Sequence, residues 1–180
     1  ENAYLVLQRE EEFKNSDMKT VIHTMTALAD LCYFSARKLS SSRGGGICTD
    51  SMEIFKELEA LVPLYEGFLT YGGMSIREVE AMAVGLYETL DETMISQSPT
   101  FIKYLVGELD KKGIPVIKPA GVLGVHLDAM QICAHIPQTQ YPAGALAAAF
   151  FLISGIRGME RGSVSNQRDE NGNETYADME

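Results

Sequence analysis

The stretch Phe34-Ser35-Ala36-Arg37-Lys38, continued by Leu39-Ser40-Ser41-Ser42-Arg43 and the triple glycine Gly44-Gly45-Gly46, decides how the rest of the chain is read. An apolar segment runs here into a glycine-rich loop. One lysine stands at the junction, with a hydroxyl three residues before it, a cation immediately before it and another five residues after it. A lysine amine is a nucleophile only when neutral, and desolvation together with neighbouring cations lowers its pKa toward that state. Such a lysine could attack the aldehyde of pyridoxal phosphate. Alone the arrangement is not specific, because an unpaired lysine is ordinarily a solvated surface residue.

The flanking sequence adds further signals in a fixed order. Glu1-Asn2-Ala3-Tyr4 opens the chain, and Tyr65-Glu66-Gly67, Tyr71-Gly72-Gly73 and Met82-Ala83-Val84-Gly85-Leu86 follow the glycine turn. Gly155-Ile156-Arg157-Gly158-Met159-Glu160-Arg161-Gly162 lies further on. In this order and spacing the motifs closely resemble the tyrosine phenol-lyase and tryptophanase family, β-eliminating amino-acid lyases that use pyridoxal phosphate. The likeness runs nearly end to end and is weakest around 91–100. It implies an α/β chain of the pyridoxal-phosphate transferase type I (aspartate aminotransferase-like) fold. Residues 1–75 would be the C-terminal part of the large cofactor domain, and 76–180 a linking helix and part of the small C-terminal domain.

The resemblance also assigns roles. Lys38 matches the family's cofactor-linking lysine, which also takes and returns the substrate's α-proton, and Ser35 matches a hydroxyl that bonds the cofactor phosphate; without the resemblance, Ser35 reads as a turn or cap residue. Arg37 replaces a second lysine, and either cation would hold Lys38 neutral by like-charge repulsion. Leu39 stands where an aspartate is common. Arg43 falls where a backbone carbonyl ligates a monovalent cation, potassium being the implied ion, although its side chain is a departure. Tyr71 lies in the Tyr-Gly-Gly loop, which in the family comes near the cofactor site; a tyrosine there could orient a water or relay a proton, but a packed aromatic is the commoner explanation. Arg161, in Met-Glu-Arg-Gly, matches the arginine that faces the phenol ring in tyrosine phenol-lyases, where tryptophanases carry an apolar residue; a salt bridge to a neighbouring carboxylate is the competing reading. Gly121-Val122-Leu123-Gly124 stands where the family has Gly-Gly-His-Ala, so the expected histidine is lost. His23 reads as a surface residue, and neither His126 nor His135 reads as a site residue.

In the family, Glu-Asn-Ala-Tyr lies a few residues after the aspartate that pairs with the pyridine nitrogen, and the segment after 174–180 supplies the arginine for the substrate carboxylate. The resemblance therefore implies the middle of a larger polypeptide, inactive by itself, within a homotetramer whose sites are each built from two subunits. The expected reaction is elimination from tyrosine to phenol, pyruvate and ammonia. The alternatives are the tryptophanase reaction, giving indole, and a non-catalytic relative that keeps the fold, for which Leu39, Arg43 and Leu123 argue. Transamination on the same fold is disfavoured by the Tyr-Gly-Gly and Met-Glu-Arg-Gly matches.

Composition is that of an ordinary globular protein, consistent with this class without demanding it. The 180 residues are 46% hydrophobic and 22% charged, with 16 Gly and 6 Pro, enough to bury one core. A net charge of −10 argues against nucleic acid as a partner, because phosphate binding requires a basic surface. No apolar run reaches the length of a membrane span and no signal-peptide pattern opens the chain. Cys32, Cys48 and Cys133 lack metal-type spacing, so reduced thiols in a cytoplasmic protein are expected, with Cys48 a small buried hydrophobe.

Apolar periodicity and breakers predict the elements. Helices are expected over 17–31 behind a Ser16 or Asp17 cap, from Ser51 with Ile54, Phe55, Leu58, Leu61 and Val62 on one face, over 75–90, and over 99–112 with Gly113 as the stop. Strands are expected at 32–35 and 46–49. Beyond 113, strands are expected at 115–117, 121–127 and 156–164, a short helix at 129–135, and an alanine-rich helix at 142–154 packed on a sheet. Residues 165–178 read as an exposed polar loop.

Overall fold

The computed structural model describes residues 2–39 and 42–175, with the backbone alone at positions 2 and 39. The chain divides into two compact units, Glu1–Thr100 and Phe101–Glu180. Together they are a mixture of helix and strand, consistent with an α/β chain.

In the first unit, helix α1 (Asn2–Arg9) and helix α2 (Met18–Thr26) make the core. Ala3 and Leu7, one helical turn apart, bury against Met18, Val21 and Ile95, and Tyr4, Val6, Phe13 and Ile22 pack around them. Asp17 is the cap of α2: its carboxylate accepts the Thr20 N–H at 2.7 Å, and this bond holds the Asp17 carboxyl below its ordinary value. The helix stops at Thr26, short of the expected 31, and the Thr24 and Thr26 hydroxyls near its end donate back to the carbonyls of Thr20 and Ile22. Such bonds give the backbone a local alternative to further helix.

Strand β1 (Cys32–Ser35), the single turn α3 (Ala36–Leu39) and strand β2 (Gly45–Cys48) form an antiparallel hairpin. Phe34 lies opposite Gly46 and Ser35 opposite Gly45. A Cβ on Gly45 would lie 2.1 Å from the Phe34 carbonyl oxygen, and one on Gly46 would lie 2.6 Å from the Phe34 ring. Close approach across the hairpin, rather than flexibility, is what these two glycines serve. Cys48, expected to be buried, is exposed on this hairpin because β2 has no neighbour except β1 among the described residues.

Ser51 caps helix α4 (Met52–Tyr65) by accepting the Ile54 N–H. Of its predicted apolar face, Ile54, Leu58 and Val62 are half-buried while Phe55 and Leu61 remain exposed. Helix α5 (Ile76–Glu88) starts with a reciprocal capping box between Ser75 and Glu78, and α6 (Glu92–Ile95) and α7 (Gln97–Lys111) follow. Gly113, at φ 73°, takes the left-handed conformation that stops α7.

The second unit departs from the sequence expectation in its strands. Residues 115–117 and 121–127 do not form strands; they meet only at an isolated bridge between Val116 and Leu127. Pro115 and Pro119 have no N–H to give a ladder, and Gly121 and Gly124 weaken an extended segment. Residues 156–164 have no partner strand among the described residues and end in a short 3-10 turn at Ser163–Ser165. Helix α8 (Ala129–Ile132) is one turn, capped by Asp128. Helix α9 (Pro142–Ser154) has the expected bounds and ends at Gly155 with φ 71°. It packs on α8 and not on a sheet, and its last turn stands in solvent, with Leu152 83% and Ile153 87% exposed. No helix among the described residues is long and apolar enough to cross a membrane.

Candidate active site

Within the first unit, the hairpin presents Ser35, Arg37 and Lys38 together. Ser35 is the last residue of β1, and Arg37 and Lys38 occupy the single turn α3. All three are exposed, whereas Ala36 between them is completely buried and anchors the turn. The desolvation expected of Lys38 is therefore not supplied by the described residues of this chain, α3 lying in the connection that closes the two-stranded ribbon. None of the three makes an ion pair with a described residue.

The loop after Lys38 is tied down at its far end. The Ala36 N–H donates to the Gly44 carbonyl at 2.9 Å, and the Ser42 N–H returns to the Ala36 carbonyl. The nearly buried Ser42 hydroxyl donates to the Glu78 carbonyl on α5 at 3.0 Å. Arg43 points its guanidinium toward the Glu78 carboxylate at 3.8 Å, largely in solvent. Gly44 takes φ 78°, and a Cβ there would lie 2.0 Å from the sulfur of Met74, so glycine lets the Met74 side chain close on the loop. Glu78 was not singled out from the sequence, although the Ser75-x-x-Glu78 spacing of a capping box could have found it. Hydrogen bonding from the Ser75 backbone and side chain, with Arg43 adding attraction, holds its carboxyl below the ordinary glutamate value.

Tyr71 lies in a tightly wound segment. Gly67 and Gly73 approach so closely that a Cβ on Gly67 would lie 2.6 Å from the Gly73 nitrogen. The half-exposed Tyr71 ring tilts against Phe68 with centroids 5.7 Å apart.

Arg161 belongs to the second unit. It lines a cavity of about 590 Å³ whose other walls include Leu105, Ile117, Leu127, Phe150 and Met159. A guanidinium on an apolar cavity large enough for an aromatic ring can donate to a polar atom on that ring. No ion pair holds Arg161 among the described residues. His126, dismissed from the sequence, also lines the cavity, and its carbonyl accepts the Ile117 N–H. Next to Arg161, one carboxylate oxygen of Glu160 is buried with no hydrogen-bond partner. In the sequence Glu160 stands inside the Met159-Glu160-Arg161-Gly162 motif without a role of its own. No cluster of three metal-ligating side chains occurs among the described residues.

Ser35 at the end of β1 offers a hydroxyl, and Arg37 and Lys38 on the turn after it offer a guanidinium and an amine, all three exposed. Ser35 and Arg37 can donate to phosphate oxygens, and Lys38 carries the nucleophilic nitrogen.

No family model matches the chain. A tyrosine phenol-lyase of Fusobacterium nucleatum subsp. nucleatum is 39% identical over 170 residues, covering 94% of this chain and 37% of the relative. A tryptophanase of Salinibacter ruber is 38% identical over 181 residues, covering 100% of this chain and 38% of the relative. A probable tryptophanase of Aeropyrum pernix is 35% identical over 181 residues, with 100% and 39% covered. The chain thus spans less than two fifths of the length of these curated relatives.

Proposed function

With this chain a homologue of the tyrosine phenol-lyases and tryptophanases over nearly all of its length, we propose that its protein is a pyridoxal-phosphate-dependent carbon–carbon lyase that eliminates phenol from tyrosine. The observation that carries the choice of substrate is Arg161 on its apolar cavity. A tryptophan substrate is the second reading, favoured by the tryptophanases among the relatives.

Pyridoxal phosphate, when bound, withdraws electrons from the substrate's α-carbon so that a bond to it can ionise. Lys38 would hold the cofactor, and its Nζ would take the substrate's α-proton and return one. Ser35 Oγ and the Arg37 guanidinium would bind the phosphate. Tyr71 orients a water or relays a proton. The Arg161 guanidinium donates to the phenolic oxygen, a bond that indole carbon cannot accept. The backbone carbonyl of Arg43 would be a ligand for potassium, a hard cation suited to oxygen donors.

The type I transferase fold, a domain boundary near residue 75, a homotetramer and a cytoplasmic location complete the proposal. The test is a parallel assay of the full-length protein with tyrosine and tryptophan. Phenol release in preference to indole supports the reading, preferred indole release moves it to tryptophanase, and no release of either supports a non-catalytic relative.

A further inference from the structure

We propose that Cys32 and Cys48 form a reversible thiol–disulfide site at the base of the hairpin that carries Lys38. The two residues are direct partners in the antiparallel register of β1 and β2, and both are free thiols. Directly opposite residues on antiparallel strands project from the same face of the sheet, with Cα atoms about 4.5–5.5 Å apart and Cβ atoms at about the same spacing. A disulfide needs Cα atoms about 4.4–6.8 Å and Cβ atoms about 3.5–4.5 Å apart. The backbone separation is therefore already suitable, and the side chains need approach by no more than about 1 Å. A two-stranded ribbon twists more freely than a wide sheet and can absorb that change.

The two thiols differ in access. Cys48 is exposed, whereas Cys32 is half-buried and its Sγ lies 4.0 Å from the Thr26 carbonyl. Cys48 is thus the thiol that a reagent meets first, and Cys32 is the neighbour that displaces the reagent. Cys133 is buried and belongs to the second unit.

The co-reactant is a low-molecular-weight disulfide of the oxidised-glutathione class. The Cys48 thiolate attacks one of its sulfurs, breaking that S–S bond and releasing one glutathione thiolate. The Cys32 thiolate then attacks Cys48 Sγ, forming the Cys32–Cys48 bond and expelling the second glutathione. The protein loses two protons and two electrons, and the reagent gains both as two thiols. The closed loop contains Ser35, Arg37, Lys38 and Arg43, so the bond fastens the strands beneath the proposed cofactor lysine. The inference depends on the hairpin register and not on the lyase reading.

The experiment uses the full-length protein, treated with oxidised glutathione, alkylated with iodoacetamide and digested without reductant. The expected product is a linked pair of peptides joining Cys32 to Cys48, two hydrogens lighter than the free thiols and separated by dithiothreitol. Under the same treatment Cys32→Ser should stop at a stable glutathione adduct on Cys48. Wild-type protein that retains glutathione on Cys48 with Cys32 alkylated would overturn the proposal. So would alkylation of both thiols, or a link from either to a different cysteine. The wild-type map decides the question even where a serine variant does not fold.

Discussion

In the proposed lyase, substrate choice rests on Arg161, which lines an apolar cavity. A donor aimed at charge that develops during reaction is worth roughly a hundred- to a thousand-fold in rate when removed. Arg161→Leu in the full-length protein should therefore lower phenol release from tyrosine by roughly a hundred-fold or more, and should affect elimination from an S-alkyl cysteine far less, because that leaving group offers no phenolic oxygen. Steady-state assays on both substrates check this, and equal losses would mean that the arginine serves structure alone. Ser42 belongs to the same scale. Its hydroxyl donates to the Glu78 carbonyl at a nearly buried position, so Ser42→Ala should destabilise the first unit by about 1 kcal/mol in denaturant unfolding.

At the scale of elements, the hairpin is the feature that positions the proposed cofactor residues, and its glycines are strict about size. Gly45→Ala would force a Cβ to 2.1 Å from a backbone oxygen. The strands must separate to accept it, at a cost of roughly 1–3 kcal/mol, read as a lower unfolding midpoint. The capping box of α5 gives a second test. Ser75→Ala should cost about 1 kcal/mol. Because the Glu78 carboxyl is held below its ordinary value of 4.5, its contribution is complete above that pH and is lost as pH falls below it through the lowered folded-state value. Glu78→Gln should accordingly flatten the acid limb of the stability profile, while leaving the wild-type slope intact would show that the bonds to Glu78 do not form.

The same elements show what the sequence made legible. The caps at Asp17, Ser51 and Ser75, the glycine stops at Gly113 and Gly155, and the strand at 32–35 were readable because each is a local signal with a local cause. The expected strands of the second unit were not, because a strand exists only with a partner, and Pro115, Pro119 and the glycines around Arg157–Arg161 deny the ladder. The motif residues were legible as types and positions. The exposure of Lys38 was not, since burial is a property of what covers a residue and not of its neighbours in sequence.

At the scale of the whole molecule, Leu28, Tyr33, Leu64, Tyr87, Leu152, Ile153 and Met159 each stand at least 70% exposed. The 180-residue chain expressed by itself should therefore bind a hydrophobic dye and sediment as larger than a monomer. A monodisperse, dye-free monomer would show that these side chains find cover within the chain.

The central claim is that Lys38 carries pyridoxal phosphate. Full-length protein loaded with the cofactor, reduced with borohydride, digested and mapped by mass spectrometry should bear the pyridoxyl group on the peptide containing Lys38, and Lys38→Ala should bear none. A label on Lys14 or Lys56 in its place, or an unlabelled Lys38 in cofactor-loaded protein, would contradict the account.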